Sequence, residues 1–351
     1  MKNSIFVVSS PLCFIYTLSI IDKMNIQNIV IIWVGQHPIA FYFPDKSIFE
    51  NEKVIDLSDI RMFTWQSYKE HYESNLKRIK SSIKSVEYLF TQFDTDYTFE
   101  LVRYCFSVKW NKVGIIEDGI GSYYKISMPA YTNKIMRSIL NFFLKGFFLN
   151  ISKYNLGGNK SIGTIATISP ENVYIHKRSN ASIVDIKNQV YKYVDYYKHS
   201  IPDYYKKVDC ILFLVGIFNV NRISSNQLIR YIKFVKNKLN IADRDKFVIK
   251  PHPREDLLKL KKVLFDEFGD TIIIADCKPV EVFIKHIESK IMAGPPTTVL
   301  LNHFFLCDRN KTEYVLLPIL SKWDKKWYSA EKVNVFKKIF NKKLSIYNFH
   351  V

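Results

Sequence analysis

Phe247-Val248-Ile249-Lys250-Pro251-His252-Pro253 is an apolar, β-branched run that stops on two prolines. A run of that length between turn residues reads as a buried strand, and the proline after Lys250 marks its carboxyl end. The chain on either side repeats the pattern. Strands are expected at Cys210 to Val215, Lys246 to Lys250, Thr271 to Ala275, Lys290 to Met292 and Tyr314 to Leu317, with helices near Ser225 to Leu239, Asp256 to Phe268, Val280 to Ile287 and Thr297 to Phe305. Strands alternating with helices predict a parallel sheet of βαβ units.

The first half has the same rhythm, with strands expected at Ile5 to Ser9, Asn28 to Val34, Glu87 to Thr91, Val113 to Ile116 and Val173 to Ile175. Helices are expected at Leu12 to Met24, Trp65 to Ser82 and Tyr97 to Trp110. Asp185 to Lys207 is polar, Tyr-rich and interrupted by Pro202, so the connection between two domains, 1–185 and 186–351, is placed there. The 351 residues fit two domains better than one core. The fold class is α/β, with two Rossmann-like parallel-sheet domains facing a central cleft.

Composition narrows the function. The five cysteines are scattered singly, so neither a zinc site nor a disulfide framework is expected. No uncharged apolar stretch of 18 residues occurs, and the apolar start is too short for a signal peptide, so the expected location is the cytoplasm. The net charge of +18 points to an anionic partner, although the Lys-, Asn- and Ile-rich composition supplies part of it without functional meaning. There is no GxGxxG or GxxxxGK loop, which leaves classical dinucleotide and ATP sites unsupported.

Open parallel sheets bind ligands beyond the carboxyl ends of their strands, and three clusters lie there. Ile115-Ile116-Glu117-Asp118-Gly119 ends a strand in two carboxylates and a turn glycine. A carboxylate partly desolvated at the lip of a cleft and repelled by its neighbour can take a proton from a hydroxyl, though Asp118 also reads as a helix cap. Lys250 and His252, between Pro251 and Pro253, suit an anionic leaving group. Gly294-Pro295-Pro296-Thr297-Thr298 brings two hydroxyls to a helix start, a metal-free phosphate site or simply an N-cap. Upstream, Glu281 stands at another helix start, where a carboxylate can accept from ribose hydroxyls.

This order of short motifs resembles the bacterial GT-B sialyltransferases and polysialyltransferases of lipooligosaccharide and capsule, which share a (D/E)(D/E)G motif, an HP motif and a Ser/Thr pair. The resemblance implies Glu117 as general base, with Asp118 and Gly119 completing its motif, and His252 with Pro253 as the HP motif. It implies that Glu281 holds the donor ribose, that Thr297 and Thr298 hold the CMP phosphate, and that Lys250 and Ser10 (in Ser9-Ser10-Pro11) serve donor-binding loops. The pair is Thr-Thr where serine is usual, and no acceptor-binding residue can be matched.

The implied reaction is inverting, metal-independent transfer from CMP-sialic acid, a donor substrate with no cofactor, to a cell-surface glycan. The segment from Thr132 to Asn150, apolar with interspersed Lys134, Arg137 and Lys145, is a candidate amphipathic helix for peripheral contact with the inner membrane and a lipid-linked acceptor, or else a buried helix. Two other readings stand beside this one. A CDP-alcohol phosphotransferase of wall-polymer type would use the HP and Ser/Thr motifs without Glu117. A non-catalytic binder of RNA or acidic polymer would use the charge, but no basic-aromatic cluster supports a nucleic-acid partner.

Overall fold

The structure is a computed structural model that describes residues 2–35, 38–43, 52–57, 65–92, 97–117, 123, 162–172, 181–196, 198, 201–214, 223–253, 255–276, 278–307, 311–320 and 330–350. The chain divides into two compact units, Met1–Tyr193 and Val194–Val351.

The first unit is built on a seven-stranded sheet of β1 (Asn3–Val8), β2 (Ile29–Trp33), β3 (Lys53–Asp56), β4 (Val86–Thr91), β5 (Val113–Ile116), β6 (Thr164–Thr167) and β7 (Ser182–Asp185), in the order β3-β2-β1-β4-β5-β6-β7. Every pairing is parallel. Its helices are α1 (Pro11–Met24), α2 (Ile39–Tyr42), α3 (Trp65–Ser82), α4 (Tyr97–Cys105) and α5 (Lys187–Asp195), the last running into the second unit. Helix α1 is buried from Leu12 through Ile21, which explains its nearly unbroken apolar sequence. It stops at Asn25, whose left-handed backbone (φ 50°) returns an N–H to the carbonyls of Ile21 and Asp22.

The second unit holds β8 (Val208–Phe213), β9 (Phe247–Lys250), β10 (Ile273–Ile274), β11 (Ser289–Gly294), β12 (Glu313–Leu316) and β14 (Leu344–Ile346), in the order β10-β9-β8-β11-β12-β14. All of these pairs are parallel too, and β13 (Ile319–Leu320) with β15 (Phe349–His350) makes a small separate ribbon. Its helices are α6 (Ser225–Lys238), α7 (Leu257–Phe268), α8 (Thr298–Leu306) and α9 (Ala330–Phe340). Strand order reverses between β1 and β4 in one sheet and between β8 and β11 in the other. Those reversals open the crevices where doubly wound sheets take ligands.

The expected class, two Rossmann-like parallel sheets, is the class found. Several elements differ in detail. The helix expected through Trp110 ends at Cys105, because Ser107 adopts a left-handed backbone (φ 50°), and a 3-10 turn follows at Trp110–Lys112. The helix expected at Val280 to Ile287 is 3-10 over Val280–His286. Strand β10 is only two residues long, since Gly269–Thr271 forms a 3-10 turn where the strand was expected to begin. Strands β3, β6 and β7 carry no expectation from sequence, and α5 lies inside the stretch read as a connection, with Val190 and Val194 buried one turn apart. The strand expected at Val173 to Ile175 and the amphipathic segment from Thr132 to Asn150 lie outside the described residues.

Candidate active site

In the first unit, β5 delivers Glu117 at its carboxyl end, one residue past Ile116. The backbone N–H of Glu117 donates to the Ala166 carbonyl at 3.0 Å, continuing the β5–β6 ladder and setting Glu117 against Thr167. Both side-chain oxygens are engaged. Oε2 accepts from Thr167 Oγ1 at 2.6 Å and from the Ile168 N–H at 2.9 Å. Oε1 accepts from the Tyr123 hydroxyl.

Glu117 is 1% exposed, so the carboxyl is enclosed where only partial desolvation was expected. Burial pushes it above the ordinary carboxylate range, against the pull of the hydrogen bonds from Thr167, Tyr123 and Ile168, with Glu171 adding to the rise. The same burial, with Glu117 alongside, drives the Tyr123 phenol well above its usual value. Asp118 and Gly119 lie outside the described residues.

Ser10 is the N-cap of α1 and its hydroxyl accepts from the Cys13 N–H at 3.3 Å. Cys13 in turn approaches the Glu117 carbonyl through Sγ at 3.6 Å, tying the first turn of α1 to the end of β5. The neighbouring Ser9 gives both its N–H (3.2 Å) and its hydroxyl (2.7 Å) to Oε1 of Gln92, which follows β4. Ser10 thus belongs to the first unit, whereas the other residues expected to hold the donor belong to the second.

In the second unit, Lys250 is the last residue of β9, 3% exposed, and its Nζ donates to the Pro251 carbonyl at 2.7 Å. Glu281 opens the 3-10 helix Val280–His286. Burial raises its carboxyl pKa, opposed by its own amide, by the positive charge of Lys250 and by the Val280 amide. His252 is half-buried, Pro253 is exposed, and the His252 carbonyl accepts from the Glu255 N–H at 2.9 Å.

Strand β11 ends at Gly294, where a Cβ would lie 2.8 Å from the Phe213 carbonyl oxygen, so only glycine fits that closely beside β8. Pro295 and Pro296 are buried, and Thr297 caps α8, its Oγ1 accepting from the Leu300 N–H at 3.5 Å. The N-cap reading of the pair is the one seen at Thr297, and both threonines stand half-exposed at a helix N-terminus, a place where amides favour an anion. Strands β9 and β11 flank β8, so the Lys250–His252 loop and the Thr297–Thr298 turn emerge two strand spacings apart, roughly 10 Å. Among the described residues no group of three or more His, Cys, Asp or Glu side chains could hold a metal ion.

Tyr123, Thr167 and the Ile168 amide escape sequence reasoning. The usable signal was Ile162-Gly163-Thr164-Ile165-Ala166-Thr167-Ile168, a β-branched run with the alternation of a strand.

No family model and no curated protein sequence matches the chain. Solved structures do. The chain is similar to the GT-B domain of a sialyltransferase from Photobacterium damselae, at 12% identity over 100% of both chains with a TM-score of 0.53. It is similar also to a 2,6-sialyltransferase of a Photobacterium species in a ternary complex with CMP and lactose, at 10% identity over 98% of this chain and 78% of the other, TM-score 0.57. A UDP-N-acetylglucosamine 2-epimerase from Rickettsia bellii matches at 14% identity over 97% and 88%, TM-score 0.53. At such identities the likeness establishes the fold, which is GT-B.

Proposed function

We propose that this chain is an inverting sialyltransferase that moves sialic acid from CMP-sialic acid to a hydroxyl of a cell-surface glycan of the lipooligosaccharide or capsular kind. The observation that carries the proposal is the constellation at the carboxyl ends of β9 and β11. It combines a buried lysine, a half-buried histidine between prolines, and two hydroxyls at the N-terminus of α8. A nucleoside monophosphate leaving group matches that set. Its single phosphate takes hydrogen bonds from Thr297, Thr298 and the helix amides, while its ribose hydroxyls donate to Glu281.

As the glycosidic bond breaks, negative charge grows on the phosphate, and His252 donates a hydrogen bond or a proton to it. Lys250 adds positive charge at the carboxyl end of β9. Because the leaving group has one phosphate, the protein's own donors are enough to stabilise it, and the mechanism assigns no step to a metal. Glu117 takes the proton of the attacking hydroxyl, whose oxygen forms the new bond to the anomeric carbon on the face opposite the departing CMP. The rise in its carboxyl pKa makes it a better proton acceptor than an exposed glutamate.

The test is direct. Purified protein incubated with CMP-sialic acid and a panel of galactose- and sialic-terminated glycans should give a product heavier by one sialyl residue. Glu117→Gln should lower turnover by about 100-fold or more with CMP affinity retained. An inactive parent protein across the panel, or a variant with parental turnover, removes the reading.

A further inference from the structure

We propose that Thr167 and Tyr123 are positioning residues that make the two oxygens of Glu117 unequal, anchoring Oε2 and leaving Oε1 as the oxygen that takes the acceptor's proton. The inference rests on the reading of Glu117 as base and names two residues that the motif does not contain.

A carboxylate offers about two acceptor sites on each oxygen. Oε2 spends both, one on Thr167 Oγ1 at 2.6 Å and one on the Ile168 N–H at 2.9 Å. Thr167 donates in this contact because an ionised carboxylate can only accept, and the Thr167 oxygen also accepts the Ser169 N–H at 3.0 Å. The turn behind it is braced: Ser169 Oγ donates to Glu171 Oε1 at 2.7 Å, and Asn172 Nδ2 donates to Ser169 Oγ at 2.9 Å and to Glu171 Oε1 at 3.0 Å. Oε2 is therefore held by the rigid end of β6.

Oε1 accepts from Tyr123 alone among the described hydrogen bonds and keeps one lone pair. The carboxyl is 1% exposed, so a sugar hydroxyl reaches Oε1 by displacing the Tyr123 phenol, and it brings to that oxygen the same kind of donor. The proton passes from the acceptor oxygen to Oε1 as that oxygen bonds the anomeric carbon, and the electron pair of the broken bond leaves with CMP. Among the described residues, the other titratable groups facing this cluster are Glu171 from the β6 turn, and Tyr16 and Cys13 from α1. Glu171 bears on Glu117, Tyr16 bears on Tyr123, and Cys13 meets the Glu117 backbone rather than its carboxyl.

The experiment uses the whole chain, carbon-13-labelled at glutamate carboxyls, with Glu117→Gln identifying the Glu117 resonance. Its titration midpoint is compared in the parent, Thr167→Val, Thr167→Ser and Tyr123→Phe, beside the pH profile of kcat/KM for the acceptor. Removing one donor to the charged form should raise the midpoint by about one pH unit or more in the Val and Phe variants, and the serine should restore it. The acid limb of the rate profile should move up by the same amount in the Val and Phe variants. An unchanged midpoint overturns the proposal. So does a uniform loss of rate with no shift of the limb, which is what a merely structural threonine would give. A midpoint that moves while the acid limb stays put overturns Glu117 as the base, and a parent protein that transfers to no acceptor overturns the function on which the proposal rests.

Discussion

Gly294→Ala tests whether the packing of the second sheet controls the phosphate turn. Gly294 ends β11 between β8 and β12, and its carbonyl accepts the Leu317 N–H at 2.8 Å. An added Cβ would stand 2.8 Å from the Phe213 carbonyl oxygen and 3.3 Å from the Phe213 Cβ. The nearer atom is backbone of β8, which has no rotamer to change. Reaching ordinary contact near 3.4 Å therefore requires the strands to part by roughly 0.6 Å.

Overpacking of that kind costs about 1 to 3 kcal/mol, or a fall of roughly 3 to 10 °C in Tm for a unit of this size. The buried Pro295 and Pro296 are stiff in φ and carry the displacement into Thr297 at the start of α8. Loss of one hydrogen bond to a charged phosphate should then weaken CMP binding by about tenfold or more. Differential scanning fluorimetry and isothermal titration with CMP measure the two effects on one preparation. Parental Tm and CMP affinity would refute the steric argument. A lowered Tm with unchanged CMP affinity would move the phosphate away from the Thr297–Thr298 turn.

Thr297→Ala removes the N-cap of α8 and should cost about 0.5 to 1 kcal/mol, the low end for such caps because the 3.5 Å bond is long, and it should weaken CMP binding as well; urea unfolding and titration calorimetry separate the two. His303 is 1% exposed, pairs with the Tyr314 hydroxyl at 2.7 Å, and burial presses its pKa down from 6.5 to about 4. Its unfolded form takes up a proton that the folded form refuses, so its contribution to stability is fully present above about pH 6.5 and is lost as pH falls from there toward 4. His303→Gln should flatten that part of the Tm–pH curve, and a slope equal to the parent's would show that another group governs it.

Much of the scaffold is legible in the sequence because it rests on local physics. Short apolar runs such as Phe247 to Lys250 and Val113 to Ile116 must be buried on both faces, and the helices between them force neighbouring strands to run parallel. The same runs place Glu117, Lys250, His252 and Thr297 at strand ends by counting alone. Boundaries fail where the backbone departs from regular geometry, as at Ser107.

What surrounds each candidate residue is decided by tertiary structure. Thr167 meets Glu117 across 50 positions, because β5 and β6 lie side by side in one register. That pairing turns a carboxylate expected to be only partly desolvated into an enclosed one with both oxygens held. The charge of Lys250 likewise reaches Glu281 only through the fold of the second unit. A residue's type and its place at a strand end are properties of the local chain, whereas its hydrogen-bond partners and its desolvation depend on which distant segments pack against it, and those set its ionisation.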